Sequence, residues 1–452
     1  MNVRNRIFSV GLALSMLAAG ASTLPAQAQS TPAATAAASS ASGNFEVFHW
    51  WAGAEAPAIS ALLDVFSKQY PGIKITNSAV AGGAGVNAHA VLKTRMLGGQ
   101  PPDSFQVHAG WELIGTYAIA NTLEPLDDLY KSEGWMDKFP KSLLDLMSYN
   151  GHIWSVPLTI HRANLLWYIP ANLAKWGITP PKTWDEFLTT CATLKAKDPT
   201  VAPLAIGATF LQVQLFENIL LATLGPKDYV NLFQGNLKWT DDKVKAAFTM
   251  YSKVLNQCVN ADYASLGDWV PAAEMVVSGK AAFHLDGDWA AGQFSTNDKL
   301  APKTGFGWAL TPGTDGVFDF LSDAFELPKG APDRDNALLW LKTVGSVAGS
   351  DAMNPLKGSI SPRLDSDLSK YSVYSQSAAA DFKTAIIVPS LEHGAAAPEA
   401  FTTPFTDLLT AFNTSGDVDS VTAAAEQLAE QTTPKALASA TMAATMAATT
   451  TK

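Results

Sequence analysis

The sequence predicts an α/β protein in two lobes, with parallel-rich sheets flanked by helices. Three observations carry this. Strand-like and helix-like runs alternate from Phe45 to Ala120, the pattern turns mostly helical between residues 160 and 300, and about 420 residues follow the export leader, too many for one ordinary core.

Residues 1–28 read as a secretory signal peptide. Arg4 and Arg6 precede an apolar run from Ile7 to about Ala19, and Ala26-Gln27-Ala28 offers the small residues that cleavage needs. The run is too short to span a bilayer, and no cysteine near the cleavage point offers a lipid anchor. Residues 29–43, QSTPAATAAASSASG, hold nothing large enough to pack and are expected to be disordered. FEVFHW reads as a strand. From Glu55 to Gln69 the apolar residues Ile59, Leu62, Leu63 and Phe66 repeat at helical spacing, and Pro71-Gly72 stops the run. GIKITNSAV is a second strand. The glycine-rich turn VAGGAGVNA could bring backbone close to a ligand, and it leads into a helix over 86–97. SFQVHA and a short helix over 112–120 complete the alternation. Ligands of such βαβ runs bind outside the carboxyl ends of strands, which is where Trp50 and Trp51 sit. Neighbours on a strand point to opposite faces, so one indole of the pair is expected to face something other than the core.

After Trp154 the segment VPLTIHRANLLWYIP passes through a strand-like stretch, and PPKTWDEF opens a helix with Thr183 and Glu186 as a capping box. LQVQLFENILLATLG and DDKVKAAFTMYSKVLNQCV are helical. AAFHLDG is a brief strand, KTGFGWALTPG and DFLSDAFELPKGA are extended, and DRDNALLWLKTVGS is helical again. Several chain crossings are therefore expected. One lobe comprises 44–156 with about 324–380, the other 157–323 with about 381–430, and 431–452 forms a flexible tail of small residues.

The chain carries 31 basic and 41 acidic residues, a net charge of −10, or about −12 without the leader. Nucleic acid and anionic membrane surfaces both need a positive footprint, so neither is expected as a partner. Cys191 and Cys258 are the only cysteines. An isolated pair in an exported chain favours a disulfide, with two separately buried thiols as the alternative. There is no G-x-S-x-G, H-E-x-x-H, P-loop or EF-hand motif, and the histidines lack metal-ligand spacing. Neither a metal nor a cofactor is expected.

Glu55, Asp103, Asp286, Asp288 and Asp323 lie near strand ends. Two of them across a glycosidic bond would make a hydrolase, whereas a single carboxylate can accept hydrogen bonds from vicinal hydroxyls and stay chemically idle. Trp50, Trp51, Trp111, Trp269 and Trp289 stand where strands or loops meet helices. There an indole can cover the C–H face of a pyranose.

On FHWWAGAE, VLKTRMLGGQPPDSFQ, VPLTIHRANLLWYIP, PPKTWDEF, SGKAAFHLDGDWAAGQF, SDAFELPKG, MNPLKGSISPR and SLEHGAAAPEAF, the chain from about Phe45 to Phe405 resembles a periplasmic solute-binding protein of a bacterial ABC sugar importer. The double tryptophan and LEHGAAAPEAF bring it nearest the glucose-binding branch of pseudomonads and Thermus. The resemblance implies a two-lobed periplasmic binding protein fold with a hinge between the lobes. It implies a monomer that captures one monosaccharide, glucose first and galactose second, and presents it to a membrane permease without catalysis. On matched motifs it implies Trp50, Trp51, Glu55, Lys93, Gln106 and His108 as ligand residues from the first lobe. Trp269 and Trp289 would come from the second lobe, with Asp323, Lys357 and His393 from the returning segments. FHWWAGAE has alanines where relatives often carry Thr, Ser or Gly, which would relax the pocket. The alternatives are a disaccharide or oligosaccharide binder, a secreted sugar-processing enzyme and a surface adhesion module.

Overall fold

The computed structural model describes residues 40–432. The signal peptide, most of the expected leader and the tail from 433 lie outside these residues. In chain order the strands are β1 (Ser42–His49), β2 (Gly72–Ala79), β3 (Ser104–His108), β4 (Ser148–Tyr149), β5 (His152–Ile153), β6 (Ser155–Pro157) and β7 (His161–Arg162). There follow β8 (Leu165–Tyr168), β9 (Ala202–Ala205), β10 (Ala281–Leu285), β11 (Gly307–Leu310), β12 (Val317–Leu321), β13 (Asp323–Glu326) and β14 (Ile386–Pro389).

The first sheet has the order β2-β1-β3-β13-β6. β1 runs parallel to β2 and β3, as the alternation predicts, and the helix Ala56–Gln69 between β1 and β2 buries Ala58, Ile59, Leu62 and Phe66. Phe66 packs edge-on against Trp340, which in turn meets Phe325 of β13. Two features differ from the sequence reading. β1 begins at Ser42, paired with Gly72, so the last two residues of the expected leader belong to the sheet, because backbone pairing needs no large side chain. The sheet is also mixed, since β13 lies antiparallel to both β3 and β6. A short extended run carries no mark of its direction.

The second sheet, β11-β8-β10-β9, is parallel only between β9 and β10. The third joins β14, β12 and β7. Two stretches thread these sheets together. Residues 155–168 pass from β6 in the first sheet through β7 in the third to β8 in the second, and residues 317–326 pass from β12 in the third to β13 in the first. These are the crossings expected from VPLTIHRANLLWYIP and DFLSDAFELPKGA.

Thr183 caps the helix Trp184–Lys197 by accepting from the Glu186 N–H at 3.1 Å. The Glu186 carboxylate reaches back to the Lys182 N–H, one residue short of the cap itself. Cys191 on this helix is bonded to Cys258 at the end of the helix Asp242–Cys258, with Cα atoms 5.5 Å apart. The disulfide expected of an exported chain is therefore formed. Among the described residues no helix is long and apolar enough to cross a membrane.

Candidate functional site

The carboxyl ends of β1, β2 and β3 open onto one cavity of about 310 Å³. Trp50 and Trp51 follow β1, Ala81 to Gly83 follow β2, and His108 closes β3, and all of them line it. β1 ends at His49, so the strict alternation that would send the two indoles to opposite faces no longer applies. Both are buried and both face the cavity. The glycine-rich turn lets the next helix pass close behind: Gly85 has φ +103°, and a Cβ there would stand 3.2 Å from the Trp50 indole.

His49 holds this corner. Its Nδ1 accepts the Trp51 N–H at 3.1 Å, so Nε2 carries the ring proton and donates to Asn77 Oδ1 at 2.5 Å. Burial pushes the imidazole down to about 4, against the pull of Asn77. The folded state therefore prefers neutral His49, and its contribution is complete above the unfolded value near 6.5. It is lost as pH falls from there to about 4, costing on the order of 3 kcal/mol. Urea titrations at pH 7, 5.5 and 4.5 are expected to show this slope in the wild type and a shallower one in His49→Gln; equal slopes would remove His49 as the cause.

Strand register sets Asp323 directly opposite His108. The Asp323 carboxylate accepts from Gln106 Nε2 at 2.8 Å and Thr159 Oγ1 at 2.9 Å, and His161 Nε2 lies 3.1 Å away. Burial alone would raise this carboxyl, but the hydrogen bond and charge of His161, with His108 and Lys357, hold it well below the usual carboxylate range. His161 is itself raised. Its burial favours the neutral ring, yet Asp288 at Nδ1 and Asp323 at Nε2 outweigh that. The ring thus sits between two carboxylates that favour its protonated form, and one of them faces the cavity. Gln106 also accepts the Trp50 N–H through Oε1 at 3.2 Å, so one amide ties the tandem tryptophans to Asp323.

Lys357, at the end of the helix Val347–Lys357, donates to Glu55 Oε1 at 2.5 Å. Its ammonium lies 5.4 Å from the Trp289 ring centre and 6.0 Å from that of Trp51, within cation–π range of both. Trp289 follows β10, Trp269 precedes the helix Val270–Val277, and His393 follows β14 with its ring 5.1 Å from Trp289. Glu112 backs His108, accepting from its Nδ1 at 2.8 Å, and lies 3.0 Å from His89 Nε2.

Of the residues expected in the site, Trp50, Trp51, Glu55, His108, Trp269, Trp289, Asp323, Lys357 and His393 line the cavity. Gln106 stands one layer behind. Lys93 does not belong there. The helix Val86–Leu97 buries Ala88 and Leu92, and the phase of that face leaves Lys93 exposed to solvent. Asp103 serves the frame, accepting the Glu46 and Asp333 N–H groups, and Trp111 is core. The sequence reading missed His161, Phe210 and Asp268, which line the cavity, and the supporting role of Asp288. No spacing links His161 to Asp288, 127 positions further along the chain; only the crossing strand brings them together. Among the described residues no group of three or more His, Cys, Asp or Glu could hold a metal ion.

Residues 52–350 match the family described as bacterial extracellular solute-binding protein. An uncharacterized ABC transporter extracellular-binding protein of Pyrococcus horikoshii is 36% identical over 381 residues, 83% of this chain and 84% of the relative. A probable sugar-binding periplasmic protein of Rhizobium meliloti is 33% identical over 401 residues, 86% of this chain and 94% of the relative. Among solved structures, a chitin oligosaccharide binding protein shares the fold at a TM-score of 0.75 and 20% identity, covering 87% of this chain and 99% of that one. The chain belongs to the bacterial extracellular solute-binding protein family. It is a non-catalytic, two-domain solute-binding protein of the periplasm.

Proposed function

We propose that this chain captures a neutral saccharide of one or two rings, with glucose the first candidate, and delivers it to its permease. The cavity carries the reading: about 310 Å³, at the low end of the range of roughly 300–1,000 Å³ for small-molecule sites. Four indoles, Trp50, Trp51, Trp269 and Trp289, supply apolar faces for ring C–H groups. Asp323, His108, Lys357 and His393 supply hydroxyl partners, and the bonds accepted by the Asp323 carboxylate are charge-assisted and stronger than neutral ones. The charges are matched internally, Glu55 with Lys357 and Asp323 with His161, which favours a neutral ligand over an ionised one. A ligand hydroxyl in the wrong epimeric place would leave a buried partner unpaired, and this discriminates among sugars.

Closure of two lobes, 44–156 with about 324–380 and 157–323 with about 381–430, would shift the population toward the form the permease recognises. An oligosaccharide is the second reading, favoured by the solved neighbour named for chitin oligosaccharides. Calorimetry on protein stripped of copurified ligand decides between them, with glucose, galactose, xylose, maltose and chitobiose as titrants. One glucose per chain at micromolar affinity or tighter supports the hexose reading. Tighter binding of a disaccharide or longer sugar replaces it with the second, and no heat with any sugar rejects both.

A further inference from the structure

Behind His393 lies a buried acid that the proposed capture of sugar does not use. Glu217 sits inside the long helix Ala208–Phe233 with no solvent exposure. Its Oε1 accepts the Leu391 N–H at 2.7 Å and the Tyr229 hydroxyl at 3.0 Å; its Oε2 accepts the Glu392 N–H and the Ser390 hydroxyl, both at 3.2 Å. The loop that delivers His393 to the cavity is thus tied by three consecutive residues to one carboxylate. A second acid, Asp319 of β12, is its neighbour. Burial raises both carboxyls, Asp319 the further because the charge of Glu217 adds to it, and the two N–H and two O–H groups aimed at Glu217 make that residue the acceptor of the pair.

The proton count at Ser390 follows. A serine hydroxyl has one proton to give and two lone pairs to receive with. The proton goes to Glu217. The lone pairs face the His393 N–H at 3.3 Å and His393 Nδ1 at 3.0 Å, so Nδ1 must be the donor. His393 is buried, and burial together with the neighbouring His108 keeps its ring neutral. Its Nε2 then has a bare lone pair, and that atom has no partner among the described residues.

We infer that Glu217 is a positioning residue that, through Ser390, fixes His393 in the Nδ1–H tautomer, so that Nε2 accepts a hydrogen bond from a ligand hydroxyl. The specificity element so defined requires a proton donor on the ligand at this point. An ether oxygen, a fluorine or a deoxy carbon there offers none. The inference rests on the saccharide reading for its ligand, though not for the state of the ring.

Ring-nitrogen NMR of the unliganded full chain tests it, with the His393 signals assigned by their loss in His393→Gln. The wild type is expected to show a protonated Nδ1 and a bare Nε2. Ser390→Ala and Glu217→Gln should both move the ring toward the other tautomer and weaken the sugar identified by calorimetry about tenfold. Ser390→Ala removes only the link and keeps the Leu391 and Glu392 bonds to Glu217, so it serves if Glu217→Gln folds poorly. A protonated Nε2 in the wild type, or a tautomer unmoved by Ser390→Ala, would overturn the inference. If no sugar binds, the saccharide reading fails while the ring signals still decide this one.

Discussion

Asp323→Asn is expected to weaken saccharide binding by about 100-fold or more while the protein stays folded. The carboxylate is buried, ionised and at the cavity wall, where it can accept from ligand hydroxyls through charge-assisted bonds. Two such bonds at roughly 1.5–3 kcal/mol each account for a change of that size, since about 1.4 kcal/mol is tenfold. The amide also leaves the His161 ring with one flanking carboxylate instead of two and sets N–H groups against Gln106 or Thr159. A modest fall in thermal stability should accompany the loss. Because the Asp323 carboxyl is held low, it stays ionised as pH falls past the unfolded value near 3.9, so mild acid should not mimic the substitution. Calorimetry with an intact near-UV spectrum checks this, and retained affinity would move the ligand elsewhere.

Breaking the disulfide is expected to act on stability alone. Cys191 and Cys258 are 67 residues apart, and closing such a loop restricts the unfolded chain by an amount worth about 4 kcal/mol. For a unit of 150–250 residues that is a shift of roughly 10 °C in the melting transition. Neither cysteine lines the cavity, so a Cys191→Ala, Cys258→Ala chain should bind sugar with unchanged affinity where it is folded. Differential scanning calorimetry of both forms provides the comparison. A transition unmoved by the loss of both sulfurs would show that the unfolded chain is not what the bond restrains.

The first sheet and its cavity-facing ends were legible because local signals agree there. Hydrophobic periodicity, the Pro71-Gly72 stop and the turn glycines place β1, β2 and β3, and the carboxyl-end rule then points to Trp50 and Trp51. Family motifs reached His108, Lys357 and His393, which no local pattern marks, and singled out Asp323 among the acids near strand ends. They failed at Lys93, where one step of helical phase separates the buried Leu92 from the solvent. Pairings across the fold stayed out of reach. Histidines that look scattered in the sequence converge because β3, β7 and the segment after β14 end at one place, and His161 is paired with acids far along the chain.

The insertion of β13 between β3 and β6 has a kinetic consequence. Gln106 and Asp323, bonded across that seam, are 217 residues apart, and Lys357 and Glu55 are 302 apart. No amino-terminal fragment can complete the first sheet, and the loops that must close before these contacts form make the last step of folding intrinsically slow. A chain with this topology remains open until most of its length is present, and its binding site cannot be complete before then.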